Sequence, residues 1–208
     1  MRDKLLDIAI EHFGRRGFEG AATRAIATDA QAAMSQITYH FGSKEGLYLA
    51  CADHIAKNIA ERTQPRIAAL GDLSALDGKA ALDGLGALIG GFAQMMLDPA
   101  TRSWASFISR EQQAPTEAFD RLYSGAMQPV VETGMALIAR IRPDFSERDI
   151  RATGILLWGQ ALVLRTARET VKRVMQVDEL DATTARGLVE QLVANTRCLI
   201  TNLPEKTR

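Results

Sequence analysis

Apolar residues recur along this chain at spacings of three and four and almost nowhere at alternate positions, a pattern that predicts an all-α protein. The first helix carries Leu5, Ile8, Ala9 and Phe13, with Leu6 and Ile10 flanking. It is expected to stop at Gly17, a residue type that tolerates the left-handed region past a helix end. A short second helix follows with Ile26, Ala27 and Ala30, and Thr23 is placed to cap it. A third, over about residues 33–40, carries Ile37 and ends before Phe41 and Gly42. Ser43, a good N-cap, then opens a long helix to about residue 62, in which Leu47, Cys51, Ile55 and Ile59 repeat at helical spacing.

Residues 63–79, TQPRIAALGDLSALDGK, hold a proline and two glycines among polar breaks, and read as a connector or weak turn that could serve as a hinge. Beyond it the spacing predicts helices over about 79–97, 100–112, 116–141, 146–173 and 182–203. Pro129 lacks an N–H and should kink or split the third of these. Ser146 with Asp149 has the form of a capping box that opens the fourth. Over 150–164, IRATGILLWGQALVL, apolar residues surround most of the helix. On the last helix Leu188, Leu192 and Leu199 lie beside Val189, Val193 and Ile200. Faces this broad need covering on two sides. In a chain of this size that points to a homodimer paired through the two C-terminal helices, with a central helix in a monomeric core as the other reading.

The 208 residues suffice for one sizeable domain, or a small domain fused to a larger one. With 47% apolar and 24% charged residues the composition is that of a globular protein, and 25 basic residues cancel 25 acidic ones. Bulk charge therefore announces no nucleic-acid partner, although a local patch would be enough for one. Cys51 and Cys198 stand far apart and outside any C-x-x-C spacing, which argues against a disulfide scaffold or a structural zinc site and fits a reducing cytoplasm. The opening residues interleave charges with apolar positions, unlike a signal peptide. The longest uncharged run, Gly84 to Leu97, is shorter than the roughly 18 residues of a membrane span. A cytoplasmic protein with no membrane partner is expected.

Three short helices within about forty residues follow the helix-turn-helix plan. In the third, Ile37 and the following Phe41 can face inward, which leaves Met34, Ser35, Gln36, Thr38, Tyr39 and His40 to point elsewhere. Hydroxyls and a glutamine amide read base edges or bond phosphate, and a short helix fits the major groove. Lys44 is otherwise misplaced, since a cation on the first turn opposes the helix dipole by about 0.3–1 kcal/mol. Beside a DNA backbone it gains a purpose, because a lysine and free N–H groups together hold a phosphate.

Residues 5–50 resemble the DNA-binding domain of TetR-family transcriptional regulators, whose signature is similar to GFEGAATRAIATDA followed by ITYHFGSKEGL here. The matching positions are Gly17, Phe18, Thr23, Ile26, Ala27, Ala30, Ile37, Tyr39, Phe41, Ser43, Lys44, Glu45 and Leu47. ITYHFGSKEGLYLACADHIA and REQQAPTEAFDRLYSGAMQPV further resemble the CecR-type branch. The resemblance implies an N-terminal three-helix helix-turn-helix domain over 1–46, joined by a long helix to a ligand-sensing and dimerising helical bundle over 47–208. The implied DNA-binding residues are Thr23, Arg24, Met34, Ser35, Gln36, Thr38, Tyr39, His40 and Lys44. Three positions depart from the family pattern. Gln31 stands where Gly is usual in the turn, Ala33 where a Ser or Thr commonly caps the recognition helix, and Thr38 where an aromatic is frequent. The chain begins almost at the first helix, so no basic arm is expected in the minor groove. Residues 1–50 hold six basic and six acidic side chains, which predicts modest nonspecific affinity.

For the sensing half, Phe92, Met95, Met96, Trp104, Phe107, Tyr123, Met127 and Trp158 could enclose a pocket, with Arg110, Glu111, Gln160 and Arg165 as polar anchors. The ligand-binding candidates among them are Phe92, Met96, Trp104, Phe107, Arg110, Tyr123, Met127, Trp158 and Arg165. Aromatic and methionine residues at this spacing equally describe a plain core.

No catalytic site is expected. GLGALIGG, residues 84–91, follows no strand, as a dinucleotide loop would, and DGKA lacks the rest of a phosphate loop. Cys51 and His54 find no third metal ligand, and no nucleophile-elbow motif appears. The reading is a homodimeric, ligand-responsive regulator of double-stranded DNA, a repressor released by a small, mainly apolar effector, with no cofactor and with the helix from Ser43 as lever. The alternative is a helical protein-interaction adaptor, which leaves Thr23, Tyr39 and Lys44 without a shared purpose.

Overall fold

In the computed structural model, which describes residues 2–204, every regular element is helical. In chain order the helices are α1 (Arg2–Gly20), α2 (Thr23–Ala30), α3 (Met34–Phe41), α4 (Lys44–Ala68), α5 (Gly78–Leu97), α6 (Arg102–Gln113), α7 (Glu117–Leu122), α8 (Gln128–Ile141), α9 (Glu147–Thr166), α10 (Arg168–Met175) and α11 (Ala182–Asn202). The chain divides into two packing units. Unit one takes residues up to Arg62 together with Ala100–Pro129, and unit two takes Thr63–Pro99 and the residues from Val130 onward.

In unit one, helical geometry breaks at Gly17 as expected, and α1 is two helical stretches joined across that residue. Gly17 adopts φ 73° and ψ 175°, a kink open to glycine, and the helix resumes to Gly20. Thr23 does not cap α2, because the helix begins one residue earlier. Ala22 takes the cap position and Thr23 is the first helical residue. The turn into α3 passes through Gln31 at φ 55° and ψ 40°, whose N–H reaches the carbonyls of Ala27 and Thr28. Ala33 caps α3 with no side-chain bond, whereas Ser43 caps α4 by accepting the Gly46 N–H at 3.0 Å. Leu5, Leu6, Ile10 and Phe13 of α1, Ile26 of α2, and Leu47 and Ile55 of α4 are fully buried. Helix α6 lies close on α1: a Cβ on Gly14 would come within 3.1 Å of Ser106 and 3.3 Å of the α6 backbone.

The expected hinge over 63–79 is shorter than predicted, because α4 continues through Pro65 to Ala68. Proline removes a single helical donor, and Ala69 still bonds the Pro65 carbonyl at 3.1 Å. Burial of Ile67 and Leu70 against the unit-two core outweighs that loss. What remains of the connector is Gly71 at φ 63° and a 3₁₀ turn, Leu73–Ala75. Its cap, Asp72, accepts bonds from both the N–H and the hydroxyl of Ser74, which hold its carboxyl below the usual carboxylate range.

Unit two is built around α5, which α9 and α11 flank. By length and mean hydropathy (1.4 over its apolar window) α5 could cross a membrane, yet Ala81, Leu85, Ile89 and Ala93 lie fully buried in this core. Gly86 and Gly90 let Val193 of α11 come within 3.3 and 3.1 Å of where a Cβ would stand. The predicted helix over 116–141 is split as Pro129 requires: a π turn, Tyr123–Met127, separates α7 from α8, and the Gln128 N–H reaches back to the Tyr123 carbonyl. The predicted helix over 146–173 breaks at Ala167 (φ −115°, ψ 32°) into α9 and α10, and the Ser146–Asp149 capping box opens α9. Arg142 ties down the end of α11, donating to the carbonyls of Ile200, Leu203 and Pro204 at 2.9–3.2 Å and to Asp144 at 2.7–2.8 Å.

Candidate nucleic-acid interface

Of the eight residues of α3 only Ile37 is buried. Met34, Ser35, Thr38, Tyr39 and His40 are exposed and Gln36 is partly so, which gives one outward surface of hydroxyls, an amide and rings. Tyr39 is 85% exposed, an extreme for an aromatic that no internal packing demands, and its ring stands edge-on to that of His40 at 5.1 Å. At the start of α2, Thr23 is partly exposed and Arg24 is exposed. The arrangement presents groups able to bond phosphate and base edges on two successive helices, with Ile26, Ala27, Ala30 and Ile37 holding both onto the unit-one core.

Lys44 stands at the mouth of α4, its ammonium donating to the Glu19 carbonyl at 3.2 Å and lying 4.7 Å from the centre of the Phe18 ring. Both contacts offset the unfavourable helix dipole. Across the same unit, His12 of α1 meets Asp29 of α2 through Nε2 at 2.7 Å, and Lys4 reaches the Gln31 side chain at 3.4 Å.

Tyr48, one turn into α4 and buried, is not among the residues that the sequence singles out. Its hydroxyl donates to Glu111 Oε1 at 2.5 Å, and Glu111, 2% exposed, accepts through Oε2 from the Thr116 N–H at 3.0 Å and hydroxyl at 2.9 Å. Burial, then the adjacent carboxylate, pushes the Tyr48 phenol well above its ordinary value. Cys51 is fully buried, and burial pushes its thiol up, so it is an inert core residue. His54 pairs with Asp7 at 3.2 Å, and among the described residues no three metal-ligating side chains converge.

The nine ligand-binding candidates fall into two groups. In unit two, Trp158 belongs to the core, Phe92 and Met96 pack against it, and Arg165 donates to the Met95 and Asp98 carbonyls at 3.0 and 2.7 Å. In unit one, Trp104 is buried with the Arg62 guanidinium 5.0 Å from its ring, Phe107 is buried against Tyr48 at 4.6 Å, and Tyr123 stacks with Phe119 at 6.2 Å. Met127 is partly buried, and Arg110 donates to the Gly14 and Arg15 carbonyls, each at 2.7 Å. Two hollows of about 190 and 310 Å³ open in unit one, the first beside His12 and Asp29 and the second beside Asp53 and His54. None of the nine candidates lines either.

Residues 5–51 match the profile described as bacterial regulatory proteins of the tetR family, and residues 81–203 match the C-terminal domain of the HTH-type transcriptional dual regulator CecR. The chain is 32% identical over 178 residues to the CecR regulator of Shigella flexneri, covering 82% of this chain and 78% of that one. Among solved structures, AibR in complex with isovaleryl coenzyme A and operator DNA superposes with a TM-score of 0.68 at 13% identity, over 93% of this chain and 96% of that one. FadR of Bacillus subtilis in complex with stearoyl-CoA superposes at 0.64 and 15% identity, over 93% and 98%.

Proposed function

The chain belongs to the TetR family of bacterial regulators, in the branch that carries the CecR C-terminal domain, and from that premise we propose that it is a ligand-responsive repressor binding a palindromic operator as a homodimer. Residues 1–46 form the reading head and 47–208 the sensing and dimerising part, in the cytoplasm. The observation that carries the reading is the outward surface of α3, where Ile37 alone is buried and Met34, Ser35, Thr38, Tyr39 and His40 are exposed. Gln36, Ser35 and Met34 read bases from the first turns of α3. Thr23, Arg24, Thr38, Tyr39, His40 and Lys44 contact the backbone and flanking edges. Paired recognition helices enter major grooves roughly 34–36 Å apart, or a multiple of that.

Dimerisation is supported by an apolar row on α9 that faces solvent: Ile155 and Leu156 are each 67% exposed, and Leu162 and Val163 continue the row. Leu199 adds an exposed apolar side chain on α11. Such a row suits a two-fold helix-pair interface. The effector is small and mainly apolar, and Phe92, Met96 and Trp158 are its proposed contacts in unit two. The AibR and FadR structures hold acyl-coenzyme A thioesters, whose acyl chains are of this chemical kind. Release from DNA requires that the effector bind the non-operator state more tightly than the operator state.

Two variants test the reading head by titration of a selected duplex and its single-base changes. Lys44→Ala should weaken binding to every duplex alike, whereas Gln36→Ala should lose about 1–3 kcal/mol of discrimination at one base position. An equal loss at every position for Gln36→Ala would remove that residue from base reading.

A further inference from the structure

The segment REQQAPTEAF, residues 110–119, has no part in the reading head, yet its first two side chains sit at a junction of unit one. Helix α1 leaves helical geometry at Gly17, so the carbonyls just before it lie at what is in effect a helix end. Arg110, in the last turn of α6, supplies the donors: Nε to the Gly14 carbonyl and Nη2 to the Arg15 carbonyl, both at 2.7 Å. Gly17 is suited to its positive φ, and a Cβ there would crowd the guanidinium, standing 3.2 Å from Arg110 Nη1. Beyond the kink come Phe18 and Glu19, whose ring and carbonyl hold the Lys44 ammonium.

The neighbouring Glu111 is linked to the same lysine through Tyr48 and the Phe18 ring. Its buried carboxylate holds the Tyr48 hydroxyl, and Tyr48 lies one turn after Lys44 on α4. The Tyr48 ring is edge-on to Phe18 at 5.2 Å and to Phe13 at 4.9 Å, and packs on Phe107 of α6 at 4.6 Å. Two routes therefore run from the end of α6 to one cation: Arg110 through the kinked end of α1, and Glu111 through Tyr48 and Phe18. A lysine carries a point charge on a flexible four-carbon stem, and its contact with a phosphate is stronger when the stem is already held.

We propose that Arg110 and Glu111 are positioning residues for the Lys44 phosphate contact: the last turn of α6 fixes where that ammonium stands. The proposal rests on the reading of Lys44 as a phosphate-binding residue. It gives the 110–119 motif a task in DNA binding without contact to DNA.

The test is the salt dependence of binding to a short duplex of random sequence, followed by fluorescence anisotropy, with thermal melting of each variant alongside. Lys44→Ala should lower the slope of log K against log salt by about 0.9 per protomer bound. Arg110→Lys keeps the charge but cannot span two carbonyls, and Tyr48→Phe removes the Glu111 bond while keeping the ring. Each should lower the slope toward that of Lys44→Ala, and neither should lower it further once Lys44→Ala is present. A merely structural role would lower Tm and leave the slope of the folded protein unchanged, or give losses that add to that of Lys44→Ala; either result overturns the proposal. If Arg110→Lys does not fold, Tyr48→Phe alone decides by the same criterion. A Lys44→Ala slope equal to wild type would take down the phosphate reading itself, and the proposal with it.

Discussion

Gln31 holds the left-handed turn between α2 and α3 at φ 55° and ψ 40°, a conformation that costs an ordinary L-residue about 1–2 kcal/mol and glycine almost none. Glycine also gains freedom in the unfolded chain, which offsets part of the relief. Gln31→Gly should therefore stabilise the protein by about 0.5–1 kcal/mol, measured as a Tm rise of about 1–4 °C. An unchanged or lower Tm would mean that the Lys4 contact outweighs the strain. Tyr48 yields a second residue-scale expectation. Burial and Glu111 raise its pKa in the folded state, so the native protein holds the phenolic proton more tightly than the unfolded chain does. Its contribution is whole below about pH 10 and declines as pH climbs through the range where a free tyrosine ionises. Tm measured between pH 9 and 11 should fall more steeply for wild type than for Tyr48→Phe; parallel curves would contradict this. Thr23, Tyr39 and Lys44 are singled out in the sequence by their match to the family signature, and Lys44 also by its unfavourable place on the first turn of α4. The sequence hid the Tyr48–Glu111 bond, since a tyrosine at a core position carries no sign of which acceptor, 63 residues away, it will meet.

At the scale of elements, the helices with clear spacing appear within a residue or two of where periodicity puts them: 78–97, 102–113 and 182–202 against the expected 79–97, 100–112 and 182–203. Where a breaker is present, tertiary packing decides whether it acts, and the expected split at Pro129 is met while the expected connector at Pro65 is not. Pro65 does not end α4, because Ile67 and Leu70 bury beyond it, whereas Pro129 is accommodated by a π turn. Nothing in the residues around Ala167 announces the break between α9 and α10. Helix α8 meets α9 where Gly134 faces Trp158, and a Cβ there would stand 2.1 Å from the indole ring. Gly134→Ala should cost about 3 kcal/mol, as overpacking at a rigid ring does. Gly187→Ala, with nothing within 4 Å on α11, should instead be neutral or stabilising by up to about 1 kcal/mol. Thermal melts of the two variants check the pair, and similar effects from both would show that the close approach of α8 to α9 does not matter.

For the whole molecule, the all-α class followed from spacing, and the helix-turn-helix from three short helices whose last has one inward face. The effector site was less legible, because aromatic and methionine residues at helical spacing describe core and pocket alike. Phe107 and Trp104 are indeed buried in unit one, and Trp158 in unit two. The central claim is that this chain reads DNA as a symmetric pair. Selection of binding sequences from a random duplex library with the purified full-length protein tests it most directly. The account predicts enrichment of a palindrome whose half-sites lie about one helical turn, or a multiple of it, apart. Failure to enrich any sequence, with the protein folded and dimeric, would contradict it and leave the exposed face of α3 to a protein partner.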